Sequence, residues 1–430
     1  METKRSEIPP LVPGLLFLLI ITGCSISIGW PNWGSSWRIH GAGSMTYSTG
    51  GETVRANIEG EEVQIVVLRD GKLYGVDGMS DGQRKTLRGM KSGGRRFVDH
   101  PQLDAWRQQL TDVSELATKP DTTAPALADA AKGLPFHGLI DNAVMRWVND
   151  DSTRACEMLD IVGELKPAKE TGRKLIGVAL ESNEGIDDDR LAGWLAAKVI
   201  RSDSEALEIL ASAKTLGPKG AEQIMSCIDD VYGSQRKRIY IAAGKRLVAD
   251  PGHARLLVGT LDELYGSHRM EAALALLQQP EATVEYAIQL LQDIDEFYGS
   301  NRLQVYLAAG QKAIADARAP RLLSSQLDEL YGSDRKKAAI AVLDWEGSTP
   351  RVALGILHEI DEFYGSNQTR LIRHVIDGRH FQDVQVQRAC LRAIKDELYG
   401  STERKALTRM LKTEGLDERV RRLVIQALDD

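Results

Sequence analysis

Hydrophobic residues recur at helical spacing through nearly all of the chain after Leu134. In the stretch that begins at Ser267, one helical face consists of Met270, Ala273, Leu274 and Leu277. After Pro280, which stops that helix, a second face consists of Val284, Ala287, Ile288, Leu291, Ile294 and Tyr298. The pattern predicts a hairpin of two helices, in which Gly299 ends the second helix in the left-handed conformation and Ser300 caps the next helix.

The same hairpin recurs along the chain, and the tripeptide Tyr-Gly-Ser marks each recurrence. Successive copies are 33 residues apart, except for a last interval of 35 residues. The tyrosines at these repeat junctions are Tyr232, Tyr265, Tyr298, Tyr331, Tyr364 and Tyr399. A hairpin of this size cannot bury both of its faces alone, so neighbouring copies are expected to stack.

This architecture resembles that of HEAT-like and tetratricopeptide-like repeat proteins, without the sequence motifs of a named family. The resemblance implies a mainly α fold, an α-solenoid of helix hairpins, and an extended surface that binds protein or peptide partners. Regular repeats with a polar C-terminal cap are expected over residues 228–430. Degenerate helical repeats are expected over residues 135–227, where the helical pattern is out of clear register.

Residues 52–115 follow a different pattern, in which apolar and polar side chains alternate. Thr53–Ile58 alternates strictly, Val63–Leu68 is rich in β-branched residues, and Asp70-Gly71 follows this run. These features predict a small β segment of two or three strands joined by tight turns, followed by a basic connector. Residues 116–134 are predicted to form a linker to the repeats.

The N-terminal residues predict export. A basic start precedes an apolar stretch from Leu11 to Ile21 that is too short to span a membrane. Ile21-Thr22-Gly23-Cys24 follows and resembles the lipobox of bacterial lipoproteins. The resemblance implies a signal peptide over residues 1–23 and a lipid anchor on Cys24. The alternative is an ordinary signal peptide.

The lipobox resemblance also implies a cellular location. A residue other than aspartate after the lipidated cysteine is typical of outer-membrane lipoproteins, and here that residue is Ser25. We therefore expect a cell-envelope protein on the periplasmic face of the outer membrane. Residues 24–51, rich in Gly, Ser and Trp, are predicted to form a tether between the membrane and the folded body.

An acidic pair precedes each junction tyrosine. Four of these pairs are Asp262 with Glu263, Asp295 with Glu296, Asp328 with Glu329, and Asp361 with Glu362. A helix C-terminus disfavours anions, so we expect nearby arginines such as Arg302 to join the acids in a ladder that fixes the geometry of the repeats. The alternative is an acidic stripe that binds a basic partner or Ca²⁺.

A run of basic residues without an acid lies at the end of the β segment. Its members are Arg84, Lys85, Arg88, Lys91, Arg95 and Arg96. Beside a lipid anchor, such a run is a candidate contact for anionic lipid headgroups. The alternative is a solvated loop and helix face.

Composition and motifs narrow the function classes further. The formal net charge of −7 argues against a general nucleic-acid binder. No motif indicates a metal or cofactor, and the Gly-x-Ser-x-Gly match at Gly78–Gly82 lacks the large α/β sheet that a nucleophile elbow needs. Cys156, Cys227 and Cys390 are predicted to be buried structural thiols, and the alternative is a disulfide between Cys156 and Cys227. We therefore expect a scaffold rather than an enzyme, and the alternative is an envelope enzyme or sensor whose β and basic region is active.

Overall fold

The computed structural model describes residues 26–29, 35–40, 44–49, 52–89, 94–165, 167–182 and 186–429. Within these residues the chain is mainly helical, with 23 α-helices and one seven-stranded sheet, as the sequence predicts. It divides into two compact units. The first comprises Met1–Asp150 and Glu164–Ala168, and the second comprises Asp151–Gly163 and Lys169–Asp430.

The sheet lies in the first unit. Its strands are β1 (Ile26–Gly29), β2 (Ser35–His40), β3 (Ser44–Thr49), β4 (Glu52–Glu59), β5 (Glu62–Arg69), β6 (Lys72–Tyr74) and β7 (Arg96–Asp99). Strands β1 to β6 are antiparallel neighbours in chain order, and β7 pairs in parallel with the first half of β5. Asp70 and Gly71 both have positive φ, which confirms the tight turn predicted there.

The sheet is larger than the sequence analysis predicted. Strands β1, β2 and β3 arise from the stretch that was predicted to be a tether, so that prediction is wrong for these strands. Apolar and polar residues alternate over Ile26–Gly29, but the abundance of Gly, Ser and Trp around them concealed the signal. Strand β7 likewise lies within the basic connector and completes one edge of β5.

Four helices complete the first unit, and one of them corrects the predicted linker. They are α1 (Asp81–Gly89), α2 (Leu103–Leu116), α3 (Ala124–Ala131) and α4 (His137–Val148). The hydroxyl of Thr123 accepts a hydrogen bond from the N–H of Ala126 and caps α3, whose Leu127 is fully buried. Residues 116–134 are therefore not a free linker, and the boundary between the units falls after Asp150.

The core of the sheet shows why strands form here. It consists of Met45, Val54, Ala56, Val63, Ile65, Val67, Met79 and Leu87. In β4, Val54 and Ala56 point to the same side because strand side chains alternate in direction. In β5, the run from Val63 to Val67 is buried throughout, as expected of a central strand covered on both faces.

Helices continue to the end of the described chain. The irregular early helices are α5 (Ser152–Asp160), α6 (Val162–Leu165), α7 (Lys169–Ser182), α8 (Asp188–Leu195), α9 (Lys198–Arg201), α10 (Ser204–Ala211) and α11 (Pro218–Met225). The first helices of the regular hairpins are α12 (Gly233–Leu247), α14 (Ser267–Leu277), α16 (Ser300–Ala313), α18 (Gly332–Asp344), α20 (Ser366–Asp377) and α22 (Ser401–Lys412). Their second helices are α13 (Ala254–Thr260), α15 (Val284–Gln292), α17 (Ala319–Ser325), α19 (Pro350–His358), α21 (Val384–Glu397) and α23 (Glu418–Asp429).

The regular hairpins stack into two layers. Each first helix contacts the first helix of the next hairpin, and each second helix contacts the next second helix. This stacking is the α-solenoid arrangement that the 33-residue period predicts. The predicted polar cap is only partly polar, because α23 leaves Leu423 and Ile425 exposed beside its charged residues.

The junctions between hairpins differ from the predicted helix ends. In the repeat of Tyr298, α15 ends at Gln292, a 3-10 turn covers Ile294–Glu296, and Phe297 is extended. Gly299 has φ 56° and ψ −135°, and it stands immediately before α16 rather than at the end of α15. Ser300 is the first residue of α16 and not its N-cap, so both predicted capping roles are wrong. The sequence pattern could not separate a 3-10 turn from a last helical turn.

An arginine closes four of the six regular junctions; Arg236, Arg302 and Arg335 are buried and Arg269 is half-buried. Arg302 donates hydrogen bonds to the carbonyls of Asp295 (2.6 Å) and Phe297 (2.6 Å) in its own repeat and of Glu329 in the next repeat. Arg236, Arg269 and Arg335 make the same three bonds, to carbonyls 7 and 5 residues before and 27 residues after each arginine. One guanidinium thus joins two consecutive repeats.

These bonds revise the predicted ladder of acids and arginines. The arginine mainly satisfies carbonyls at the end of a 3-10 turn, where no intrahelical donor is available. Its carboxylate partner belongs to the next repeat, since Arg302 Nη1 lies 3.5 Å from Glu329 Oε2 and Arg335 Nη1 lies 3.2 Å from Glu362 Oε2. Asp262, Asp295 and Asp328, the first acids of their pairs, accept through their carbonyls. Asp262 also contributes its carboxylate, whose Oδ1 lies 3.4 Å from Arg269 Nη2.

We predict that Arg302→Ala destabilises the repeats, because three carbonyls lose their donor. The expected loss is about 1 to 3 kcal/mol of unfolding free energy, measured by urea denaturation. Arg302→Lys should recover little of it, because an ammonium group cannot reproduce the fork of guanidinium donors. The matched control is Arg370→Ala, at an exposed arginine of the same unit, with an expected effect below about 0.5 kcal/mol. Equal urea midpoints for Arg302→Ala and Arg370→Ala would contradict the role of Arg302 in joining two consecutive repeats.

A second stability prediction concerns glycines inside helices. A Cβ on Gly310 would lie 2.8 Å from side-chain atoms of both Leu323 and Trp345, whereas a Cβ on Gly259 would meet nothing within 4 Å. Gly310→Ala should therefore lower the unfolding midpoint, because overpacking costs about 1 to 3 kcal/mol. Gly259→Ala should raise stability by up to about 1 kcal/mol through helix propensity. Calorimetry of both variants tests the sign, and two changes of the same sign would refute the close approach at Gly310.

Candidate functional site

The junction tyrosines are the most exposed large hydrophobic side chains among the described residues. Tyr232, Tyr265, Tyr298, Tyr331, Tyr364 and Tyr399 are each between 74% and 79% exposed. We call these six residues the tyrosine row. By contrast, Tyr240, Tyr286 and Tyr306 are fully buried. Tyrosine is thus used in two distinct ways, and the row lies on the surface in every regular repeat.

The backbone explains why these tyrosines point outward. The residue before each of them is buried, as at Phe297, and extended, and successive side chains of an extended chain point in opposite directions. A buried Phe297 therefore directs Tyr298 into solvent. The sequence analysis placed Tyr298 on the buried face of a helix, which is wrong because the helix has already ended at Gln292.

A cleft separates two successive members of the row. It has a volume of about 330 Å³ and is lined by Tyr298, Gly299, Ser300, Arg302, Glu329, Leu330, Tyr331 and Asp334. Tyr298 and Tyr331 contribute its two aromatic rings, and Arg302 lies 5.9 Å from the ring centroid of Tyr331. The guanidinium of Arg302 is engaged with carbonyls and lies 3.5 Å from Glu329 Oε2, and Asp334 Oδ1 accepts a hydrogen bond from Lys337 Nζ at 2.9 Å. The exposed aromatic surfaces are therefore what the lining of the cleft offers to a partner.

The acidic stripe is only partly neutralised by the arginines. The second acid of each pair, such as Glu329, lies beside the arginine of the preceding repeat. The carboxylates of Asp295, Asp328 and Asp361 are exposed and form no hydrogen bond or ion pair with a described residue. Within the described residues, a row of free aspartates thus accompanies the tyrosine row.

Acids of consecutive repeats influence one another electrostatically. Burial raises the pKa of Asp328, and Glu362 and Asp361 of the next repeat raise it further against the opposing effect of Arg335. Burial likewise raises the pKa of Glu359, with Asp328 of the preceding repeat as the next largest cause. Carboxylates of these two consecutive repeats therefore repel one another across the junction.

The calcium alternative finds no support in the part of the chain that the structure describes. There, no group of three or more histidine, cysteine, aspartate or glutamate side chains is arranged to hold a metal ion. The acids of successive junctions are near enough to repel each other but do not converge on one point.

A separate groove is formed by the second helices of three consecutive hairpins. It has a volume of about 1320 Å³ and is lined by α17, α19 and α21 together with the turn that follows α19. Four exposed arginines that make no ion pair with a described residue line it: Arg321, Arg351, Arg388 and Arg392. Carboxylates also line it, from Glu359, Asp361, Asp396 and Glu397.

Sequence reasoning missed this groove. A signal was available in Arg388 and Arg392, which are four residues apart and so share one face of α21. Arg321 and Arg351 are 30 residues apart, however, and only the stacking of α17 on α19 brings them to the same groove. The hairpin register, which the sequence alone did not give, was needed to group the four arginines.

The predicted basic contact surface is divided by the fold. Arg84 donates to the carbonyls of Val76 and Met79, and Arg96 forms an ion pair with Glu62 at 2.7 Å. Lys85, Arg88 and Arg95 are exposed, with the guanidinium of Arg88 lying 6.0 Å from the ring centroid of Phe97. Lys91 lies outside the described residues. The run is thus partly structural and only partly available for contact with anions.

The Gly-x-Ser-x-Gly match has a structural explanation. The N–H of Ser80 donates to Gln83 Oε1 at 2.8 Å, and the N–H of Gln83 donates to Ser80 Oγ at 3.3 Å. This reciprocal pair is a capping box at the start of α1. Ser80 therefore serves the helix terminus, and its hydroxyl is engaged with backbone.

A smaller cavity of about 280 Å³ lies within the first unit, and its lining includes Arg55, His100 and Trp106. Arg55 Nε is buried without a hydrogen-bond partner, and burial lowers the pKa of the Arg55 guanidinium. His100 stacks on Trp106 at 4.5 Å, and its Nδ1 accepts a hydrogen bond from the N–H of Gln102. This cavity is the feature of the first unit that most nearly resembles a ligand site.

The predicted thiols are also located. Cys156, Cys227 and Cys390 are buried and free, in agreement with a structural role. Burial raises the pKa of all three thiols, most strongly at Cys390. These thiols are thus protonated and unreactive at neutral pH. Cys24, the predicted lipid anchor, lies outside the described residues.

Among the described residues, no helix combines the length and apolar character that a membrane span requires. Protein-family models, curated protein sequences and solved structures contain no match to this chain.

Proposed function

We propose that this chain is a lipid-anchored scaffold of the cell envelope, on the periplasmic face of the outer membrane, that binds protein or peptide partners through its helical repeats. The groove of α17, α19 and α21 carries the binding part of this proposal. It is open, spans three repeats and presents charged side chains without internal partners. Concave surfaces of stacked helical repeats commonly serve such binding.

The charge pattern of the groove favours a polypeptide partner over a polyanion. Arginines lie on the helices that line it, and the carboxylates of Glu359 and Asp361 lie at and beyond the C-terminal end of α19. A nucleic acid would meet the arginines but would be repelled by these acids. A polypeptide segment with side chains of both signs satisfies both sets of charges.

We predict that charge reversal in the groove abolishes partner capture. The measurement is a pull-down from envelope extracts with protein whose lipid anchor has been removed. The double variant Arg388→Glu with Arg392→Glu should fail to capture the partners that the wild-type protein captures. If Arg388 and Arg392 pair with carboxylates of the partner, charge reversal breaks both pairs and places like charges together. Affinity for the partner should then fall at least about tenfold. Arg370→Glu, outside the groove lining, is the control and should still capture the partners. Identical capture profiles for all three proteins would refute binding through the groove.

A separate experiment tests the proposed lipid anchor and membrane location. Because Cys24 is the proposed lipid acceptor, Cys24→Ser should abolish incorporation of radiolabelled fatty acid and release the protein from the membrane fraction. Cys156→Ser is the matched control, since its buried thiol should not accept lipid. Persistent labelling of Cys24→Ser, or its loss in Cys156→Ser, would contradict the proposed anchor.

An envelope sensor is the second candidate, and the cavity beside Arg55 and His100 is the observation that favours it. A desolvated guanidinium without a carboxylate partner would gain from an anionic ligand. The two candidates separate by mutation. If Arg55→Gln changes partner capture while the double charge reversal at Arg388 and Arg392 does not, the sensor is favoured.

A further inference from the structure

The tyrosine row and the groove have different lining residues at Tyr298 and Tyr331, although Asp361 of the acidic stripe lines the groove. The cleft between Tyr298 and Tyr331 shares no lining residue with the groove of the second helices. Exposure of the row is costly, because six large rings remain in water that a smaller polar residue would avoid. Their positions alternate with buried residues such as Phe297, so the fold does not need the rings for its core.

The surroundings of the row select the chemistry of a partner. Within the lining of the cleft, the carboxylate of Glu329 is paired with Arg302 and that of Asp334 with Lys337, so neither is available to a partner. The free aspartates Asp295 and Asp328 precede its two tyrosines by three residues. An anionic partner would be repelled along the whole stripe. A cationic side chain would instead find both a ring face and a carboxylate, and ring faces attract cations.

The spacing of the repeats selects the form of that partner. Stacked helices lie about 8 to 10 Å apart, which sets the step from one junction to the next. An extended polypeptide advances about 3.3 Å per residue, so three residues cover roughly one step. A chain with a lysine or arginine at every third position would therefore place one cation at each successive tyrosine.

We infer that the tyrosine row is a docking surface for an extended basic polypeptide, in which consecutive cations enter the clefts between consecutive tyrosines. The cation lies against the tyrosine ring, and the nearby carboxylates neutralise it. Several equivalent weak contacts act together, so affinity rises with the number of repeats engaged. This inference rests on the proposed function, because it assigns a class of partner to a second surface of the same repeats.

The test uses synthetic peptides and the complete chain with its lipid anchor removed. A fluorescent peptide of six Lys-Ser-Gly units is titrated at low salt, and its anisotropy reports binding. The wild-type protein should bind it, and should bind more weakly a peptide of the same composition with its six lysines contiguous. A Glu-Ser-Gly peptide should not bind. Equal affinity for the two lysine peptides would overturn the matched spacing, and no binding of either would overturn the proposal.

Paired substitutions test the residues. Tyr298→Ala with Tyr331→Ala should weaken binding about five- to thirtyfold, the range expected from two exposed cation–ring contacts. Tyr298→Phe with Tyr331→Phe retains the rings and should stay within about twofold of wild type. Leu423→Ala with Ile425→Ala removes exposed apolar side chains away from the row and is the control. Unchanged affinity in the tyrosine-to-alanine variant would overturn the inference.

A second pair of variants keeps the test decisive if the alanine protein fails to fold. Asp295→Asn with Asp328→Asn preserves shape and the carbonyls bound by the arginines, and should weaken binding at least threefold. The same experiments would detect other ligands of the tyrosine row. Tighter binding of a neutral oligosaccharide such as cellohexaose, or self-association lost in the tyrosine-to-alanine variant, would replace the basic polypeptide and overturn the inference.

Discussion

The repeats depend on one interaction, the guanidinium that donates to three carbonyls at four of the six regular junctions. A chain that leaves a helix buries carbonyls without donors, and each of them is costly if unsatisfied. Arg302 supplies all three donors at once and takes the third carbonyl from the next repeat. The bond that completes one turn therefore also fixes the position of its neighbour, which is what a stacked repeat requires.

The same turn creates the exposed surface. Where a 3-10 turn follows the second helix, as after α13, α15, α17 and α19, the residue before the junction tyrosine is extended. That residue, Phe297 or its equivalent, is buried, so the tyrosine after it points to solvent. The glycine that follows must adopt a positive φ to redirect the chain into the helix, a conformation that other residues rarely tolerate. The Tyr-Gly-Ser tripeptide therefore marks the position of this turn in the sequence.

The sequence predicted the elements whose signal is periodic. The hairpins follow from the 33-residue period, and the turn at Asp70-Gly71 follows from residue types that accept positive φ. The small strand β1 and the helix α3 were missed because short elements in Gly- or Ala-rich stretches have weak patterns and are stabilised by tertiary contacts. The direction of Tyr298 was missed for a different reason, because a helix and a 3-10 turn place Ile294 on the same buried side and diverge only afterwards.

The candidate surfaces were less predictable, because they depend on which repeat contacts which. Arg302 pairs with Glu329 of the next repeat, and no spacing within one repeat indicates that choice. Where the arginine is replaced, the link changes: Gln368 donates to the carbonyl of Ile360 and to the carboxylate of Glu397. There the helix α21 continues through Glu397 without a 3-10 turn, and the interval lengthens to 35 residues. The arginine is thus absent at Gln368, and the 3-10 turn is absent at the junction that follows. This joint absence agrees with the arginine serving the carbonyls of such a turn in the next repeat.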